Sequence, residues 1–171
     1  MNLQADDFAL FGVPRQFAQD RADLDARWKA LQREAHPDKF VAHGASAQRL
    51  AMQWSVRINE AYQRLKDPLK RAAYLCELAG APIQAHSNTA MPADFLVQQM
   101  EWREALDEAI EATTLHQLAD AVQASKARLL QQCAALLDGS HDFAAAVAPV
   151  RALMFIEKFA LDLSQRIDQL E

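Results

Sequence analysis

The chain has 171 residues, enough for one domain or two small ones, and 51% of them are hydrophobic against 24% charged, a globular balance. Only four glycines and six prolines accompany many Ala, Leu and Gln, and no stretch alternates with period two, so the composition points to an all-α protein. A formal net charge of −5 argues against general nucleic-acid binding, and no apolar run approaches membrane-spanning length.

The first ten residues are acidic and carry neither a basic n-region nor an Arg-rich pattern, so the chain reads as cytoplasmic. Asp7 to Phe11 is expected as a short helix closed by Gly12. A second helix starts at Asp20 or Asp23 and runs to Ala35, with an apolar stripe of Leu24, Trp28, Leu31 and Ala35. At about 100° per residue, Lys29 and Arg33 fall opposite that stripe with Arg27 on the flank, a basic face. Such a face is also what any solvated helix shows. Pro37 lacks an N–H and biases His36 away from helix, so His36-Pro37-Asp38 forms a turn presenting an imidazole and a carboxylate to solvent. A plain helix stop accounts for the three residues equally well when they are taken alone.

A third helix from about Ser46 to Lys66 carries Leu50, Trp54, Ile58, Ala61 and Leu65 on one side. Asp67 is an N-cap with Pro68 at the first turn of a fourth helix, Leu69 to Leu78, which Gly80 closes. Residues 80–92 hold the clearest break in helical pattern. They divide an N-terminal domain, 1–79, from a C-terminal one, 93–171.

Three amphipathic segments follow and should pack as an antiparallel bundle. The first spans Ala93 to Glu111. A capping box, Thr114 with Gln117, starts the second, which runs to Asp138. The third begins near Asp142 and is kinked or restarted by Pro149. In the first, Phe95, Trp102, Leu106, Ala109 and Ile110 form the core stripe. Leu96, Val97 and Met100 lie on another side beside Glu101 and Glu104. An apolar cluster rimmed with carboxylates is either a protein-binding patch or a second buried face. Phe155 falls off the seam of the last helix (Leu153, Ile156, Ala160, Leu163, Ile167, Leu170) and joins the patch if the helices are neighbours. Cys76 and Cys133 sit on apolar stripes as buried thiols without metal-ligand spacing. No nucleophile, metal set or phosphate loop supports an enzyme.

The first seventy-odd residues resemble a J-domain: a basic second helix, His36-Pro37-Asp38-Lys39-Phe40, Ile58-Asn59-Glu60-Ala61-Tyr62 with Leu65, then Asp67-Pro68 with Arg71, Ala72 and Tyr74. Phe8-Ala9-Leu10-Phe11-Gly12-Val13-Pro14 and the run from Phe95 to Glu104 narrow the resemblance to the HscB family of iron–sulfur co-chaperones. The Gly/Phe-rich linker and Cys-x-x-Cys module of general folding J-proteins are missing. The resemblance implies a J-domain that stimulates the ATPase of a DnaK-class chaperone, HscA, and a bundle that binds the scaffold protein IscU. It assigns His36, Pro37, Asp38, Arg27, Lys29, Arg33 and Lys39 to the chaperone, and Leu96, Val97, Met100, Glu101, Glu104 and Phe155 to the scaffold. It implies no cofactor and, without the N-terminal cysteine extension of some eukaryotic relatives, no metal and a bacterial-type protein. A J-protein serving a different client is the competing reading.

Overall fold

The computed structural model describes residues 2–84 and 90–171, which form helices joined by short loops, with no strand among them. They form seven α-helices: α1 (Asp7–Phe11), α2 (Arg21–Ala35), α3 (Ala45–Lys66), α4 (Pro68–Leu78), α5 (Ala93–Glu108), α6 (Ala112–Ala134) and α7 (Phe143–Leu170). A 3-10 turn, Pro37–His43, separates α2 from α3, and a π-helical turn, Ala135–Gly139, ends α6. The chain divides into two compact units, Met1–Tyr74 and Leu75–Glu171, so the division falls inside α4.

In the first unit the local chemistry sets each boundary. Asp6 caps α1 through its side chain, and Gly12 ends it at φ 65°, a left-handed conformation that suits glycine. The Asp20 carboxylate accepts the Ala22 N–H to start α2. Asp67 accepts from Leu69 N–H at 2.9 Å, with Pro68 occupying the first turn of α4. The core is Phe8, Phe11, Leu24, Ile58, Ala61 and Leu65. Leu50 is a correction: it is exposed, and Ala51 is buried instead. Ala51, Ile58 and Leu65 recur every seven residues, which keeps them on one side, whereas Leu50 is rotated about 80° from Ile58.

The second unit is a bundle in which α6 runs antiparallel to α5 and α7. The α6 start meets the α7 end through His116 and Glu171, 2.8 Å apart, while Phe95 and Arg103 of α5 meet Phe155 and Asp162 of α7 in the same order. Three boundaries differ from expectation. Helix α5 stops at Glu108 because Ala109 turns extended (φ −66°, ψ 131°), which leaves Ile110 84% exposed instead of in the core. Helix α6 begins at Ala112 with Glu111 at its N-cap position and no side-chain cap, so Thr114 lies inside the helix and the capping box does not form. Helix α7 does not restart at Pro149, which is buried inside one continuous helix.

Of the segment 80–92, residues 85–89 lie outside the described residues. Its two ends are held by the second unit. Arg151 of α7 donates to the carbonyls of Ile83 at 2.9 Å and Ala90 at 3.2 Å, and Ile83 is buried.

Candidate protein-docking surfaces

The tip of the α2–α3 hairpin carries the first surface. Helix α2 ends at Ala35 because His36, preceding proline, is extended (φ −62°, ψ 128°). The His36 Nδ1 then accepts the Asp38 N–H at 3.2 Å and lies 3.6 Å from the Asp38 carboxylate. Accepting at Nδ1 puts the proton of the neutral ring on Nε2. The turn therefore offers solvent an N–H donor and, with the Asp38 side chain 88% exposed, an anionic acceptor. With both side chains turned to solvent, the geometry suits docking to a partner.

The hairpin behind the tip is locked by the α3 motif. Ile58 and Ala61 are wholly buried, and Tyr62 stacks on Trp28 with centroids 4.7 Å apart. Asn59 Oδ1 accepts from Trp28 Nε1 at 2.9 Å and Gln32 Nε2 at 2.8 Å, and Ser55 donates to Gln32. Lys29 and Arg33, one turn apart on α2, are exposed and lead toward His36, and Lys39 is exposed beyond the turn. Arg27 is placed differently. Its guanidinium pairs with Asp23 at 2.9 Å and donates to the carbonyls of Phe11 and Gly12, which ties α2 to the end of α1.

The second surface is the outer face of α5. Leu96, Val97 and Met100 are 43%, 58% and 72% exposed, so the cluster is not a second buried face. Glu101 and Glu104 are exposed beside it, and a shallow groove continues along Gln99, Met100, Arg103, Glu104, Asp107 and Glu108. Phe155 is half-buried on α7 and meets Phe95 edge-on at 5.8 Å, placing it at the border between the α5 core stripe and the exposed cluster. The sequence reading missed Arg103, whose Nη1 bonds Asp162 at 3.1 Å and whose guanidinium lies 6.0 Å from the Phe155 ring. The available signal was its spacing, one turn beyond Met100 on the side facing Leu96. An exposed apolar strip with a carboxylate rim suits a protein segment with apolar side chains and compensating positive charge.

A helical hairpin presenting His-Pro-Asp at its tip, carried in one chain with a bundle that exposes an acid-rimmed apolar face, defines a J-domain co-chaperone. Residues 91–164 match the HSCB C-terminal oligomerisation domain. The chain is 48% identical to the co-chaperone protein HscB homolog of Burkholderia multivorans, across 100% of this chain and 99% of the relative. It is 47% identical to that of Cupriavidus taiwanensis, across 99% and 97%. Among solved structures, the chaperone HscB from Vibrio cholerae superposes with a TM-score of 0.83 at 35% identity, covering 98% of this chain and all of that one. The human co-chaperone protein HscB superposes at 0.90 with 26% identity, covering 96% of this chain and 83% of the human one. The chain belongs to the HscB family of co-chaperones.

Proposed function

We propose that the protein is a cytoplasmic adaptor of iron–sulfur protein maturation. It stimulates the ATPase of the DnaK-class chaperone HscA and delivers the scaffold IscU to it. The parts divide as a J-domain over 1–79, a connecting segment over 80–92 and a scaffold-binding bundle over 93–171. His36, Pro37 and Asp38 dock on the chaperone, with Lys29, Arg33 and Lys39 supplying positive charge toward an acidic partner and Arg27 bracing the helix from its flank. Leu96, Val97, Met100 and Phe155 meet the scaffold, with Glu101 and Glu104 on the rim.

The observation that carries this reading is the pairing, in one chain of the HscB family, of the exposed His36-Pro37-Asp38 turn with the exposed Leu96–Met100 cluster. The protein does no bond chemistry of its own. It acts by differential affinity, favouring the chaperone state that hydrolyses ATP and grips the client. Carrying client and docking turn on one framework raises the client's effective concentration at the chaperone.

The test is an ATPase assay with HscA, with and without IscU. Asp38→Asn or His36→Gln should abolish stimulation while helical content and IscU affinity stay at wild-type values. Wild-type stimulation by both variants sinks the docking role. The triple variant Leu96→Ala, Met100→Ala, Phe155→Ala should lose about 3 kcal/mol of IscU binding, as for hot-spot residues, and keep stimulation of the chaperone alone.

A further inference from the structure

Four aromatic rings close a cycle between α5 and α7. Phe95 meets Trp102 edge-on at 5.9 Å, and Trp102 stacks on Phe159 at 5.9 Å. Phe159 stacks on Phe155 at 5.8 Å, and Phe155 returns to Phe95 at 5.8 Å. Phe95, Trp102 and Phe159 are buried, so Phe155 is the one ring of the four with an edge open to solvent. The Arg103 guanidinium stands 5.2 Å from the Phe159 centroid and 6.0 Å from that of Phe155, and Asp162 holds it from one turn further along α7. On the α5 wheel Arg103 lies about 80° from Phe95 and about 20° from Leu96, on the line where buried stripe and exposed cluster meet.

We infer that Arg103, anchored by Asp162, is a positioning residue for client binding: it caps the Phe155–Phe159 stack and fixes the orientation in which Phe155 meets the scaffold protein. This rests on the proposed role of Phe155 in scaffold binding. An ion pair this exposed adds little to folding stability by itself. A guanidinium lying on two rings does something else. It restricts a half-exposed phenylalanine to one rotamer before the partner arrives, which removes an ordering penalty from the binding step. The carboxylate rim suits a partner carrying positive charge, and direct contact of the Arg103 guanidinium with such a partner is repulsive, which leaves its action through the ring.

The test is a set of double-mutant cycles on the full chain, with IscU affinity read by calorimetry. Arg103→Leu and Asp162→Asn should each weaken binding about fivefold, the scale of a lost cation–π contact and lost pre-organisation. Either change added to Phe155→Ala should cause no further loss. Arg103→Lys should recover part of the affinity. In the free protein, para-fluorophenylalanine at position 155 should show a shifted and broadened fluorine resonance when Arg103→Leu is introduced. Wild-type affinity in Arg103→Leu, with Phe155→Ala weakened, overturns the inference alone; so do losses that add. Wild-type affinity in Phe155→Ala overturns the docking reading and this inference together. If Arg103→Leu does not fold, the Asp162→Asn cycle decides by the same criteria.

Discussion

Asp7 is fully buried, and its carboxylate accepts from Arg57 at 2.7 Å and from Arg64 at 2.6 and 2.9 Å. Its own N–H donates to the Tyr74 hydroxyl at 3.0 Å. The bond to Asp7 is the main reason the Arg64 guanidinium is held above its ordinary pKa, and burial opposes it. The carboxylate thus fastens α1 to α3, while the Asp7 backbone N–H ties it to Tyr74 in the middle of α4. Removing it strands Arg57, whose side chain is only 17% exposed. Asp7→Ala should lower stability by about 3 kcal/mol in urea denaturation, the range for breaking a buried pair from one side. By contrast Arg21→Ala, which breaks an exposed pair with Asp25, should change stability by less than about 0.5 kcal/mol. None of this was legible in the sequence. Asp7 reads as an ordinary first-turn acid because its partners lie 50 and 57 residues away. The cysteines were legible, since their place on apolar stripes sufficed. Burial pushes Cys76 up to about 11 and Cys133 up to about 12. A raised thiol pKa stabilises the fold fully below the unfolded value, and that contribution disappears as pH rises through the folded value. At pH 8 both should therefore resist alkylation in the native protein and react only in denaturant, as mass spectrometry of labelled chains would register.

At the scale of elements, the α2–α3 hairpin is held by a motif remote from the His36-Pro37-Asp38 turn at its tip. The Asn59 side-chain carbonyl is shared by Trp28 and Gln32, so Asn59→Ala takes the acceptor from the Trp28 indole N–H and leaves Gln32 Nε2 only the longer bond to the Ser55 carbonyl at 3.3 Å. It should destabilise the first unit by about 1–2 kcal/mol, measured by thermal unfolding. The helix start at Asp67 was readable, and that of α2 was narrowed to Asp20 or Asp23, because one capping side chain decides each. The α5–α6 junction was not, because periodicity continues through Ala109 and Ile110 while the backbone turns extended at Ala109. Pro149 illustrates a competition of magnitudes. An interior proline opposes a helix by about 3 kcal/mol, yet α7 passes through it because the flanking Ala146, Val147, Val150 and Leu153 are buried. Replacing Pro149 by Ala restores an N–H toward the Ala145 carbonyl but removes about two buried methylenes, about 1.6 kcal/mol of apolar burial. The difference predicts a net gain of about 1 kcal/mol, visible as a raised melting temperature; a fall would mean that the ring's packing outweighs the missing bond.

For the whole molecule, the proposed function depends on both surfaces belonging to the same chain. Each surface was legible in sequence for a different reason: His36-Pro37-Asp38 by residue type, and Leu96, Val97 and Met100 by standing off the core stripe. Arg103 and the ring cycle were not, because neither α5 nor α7 alone shows which residues meet across the bundle. If the chain works as an adaptor, linkage matters more than the strength of either contact. A tethered client reaches an effective concentration of about 1 mM at the chaperone, whereas one held by a separate chain stays at its bulk concentration. An equimolar mixture of Asp38→Asn with the Leu96→Ala, Met100→Ala, Phe155→Ala variant contains both surfaces intact, on different chains. The first holds IscU without docking, and the second docks without its client. The mixture should stimulate HscA with IscU no better than the triple variant alone at the same concentration, in a steady-state ATPase assay. Recovery toward the wild-type rate would show that the two surfaces act without being joined, and the adaptor account would fall even with each surface individually correct.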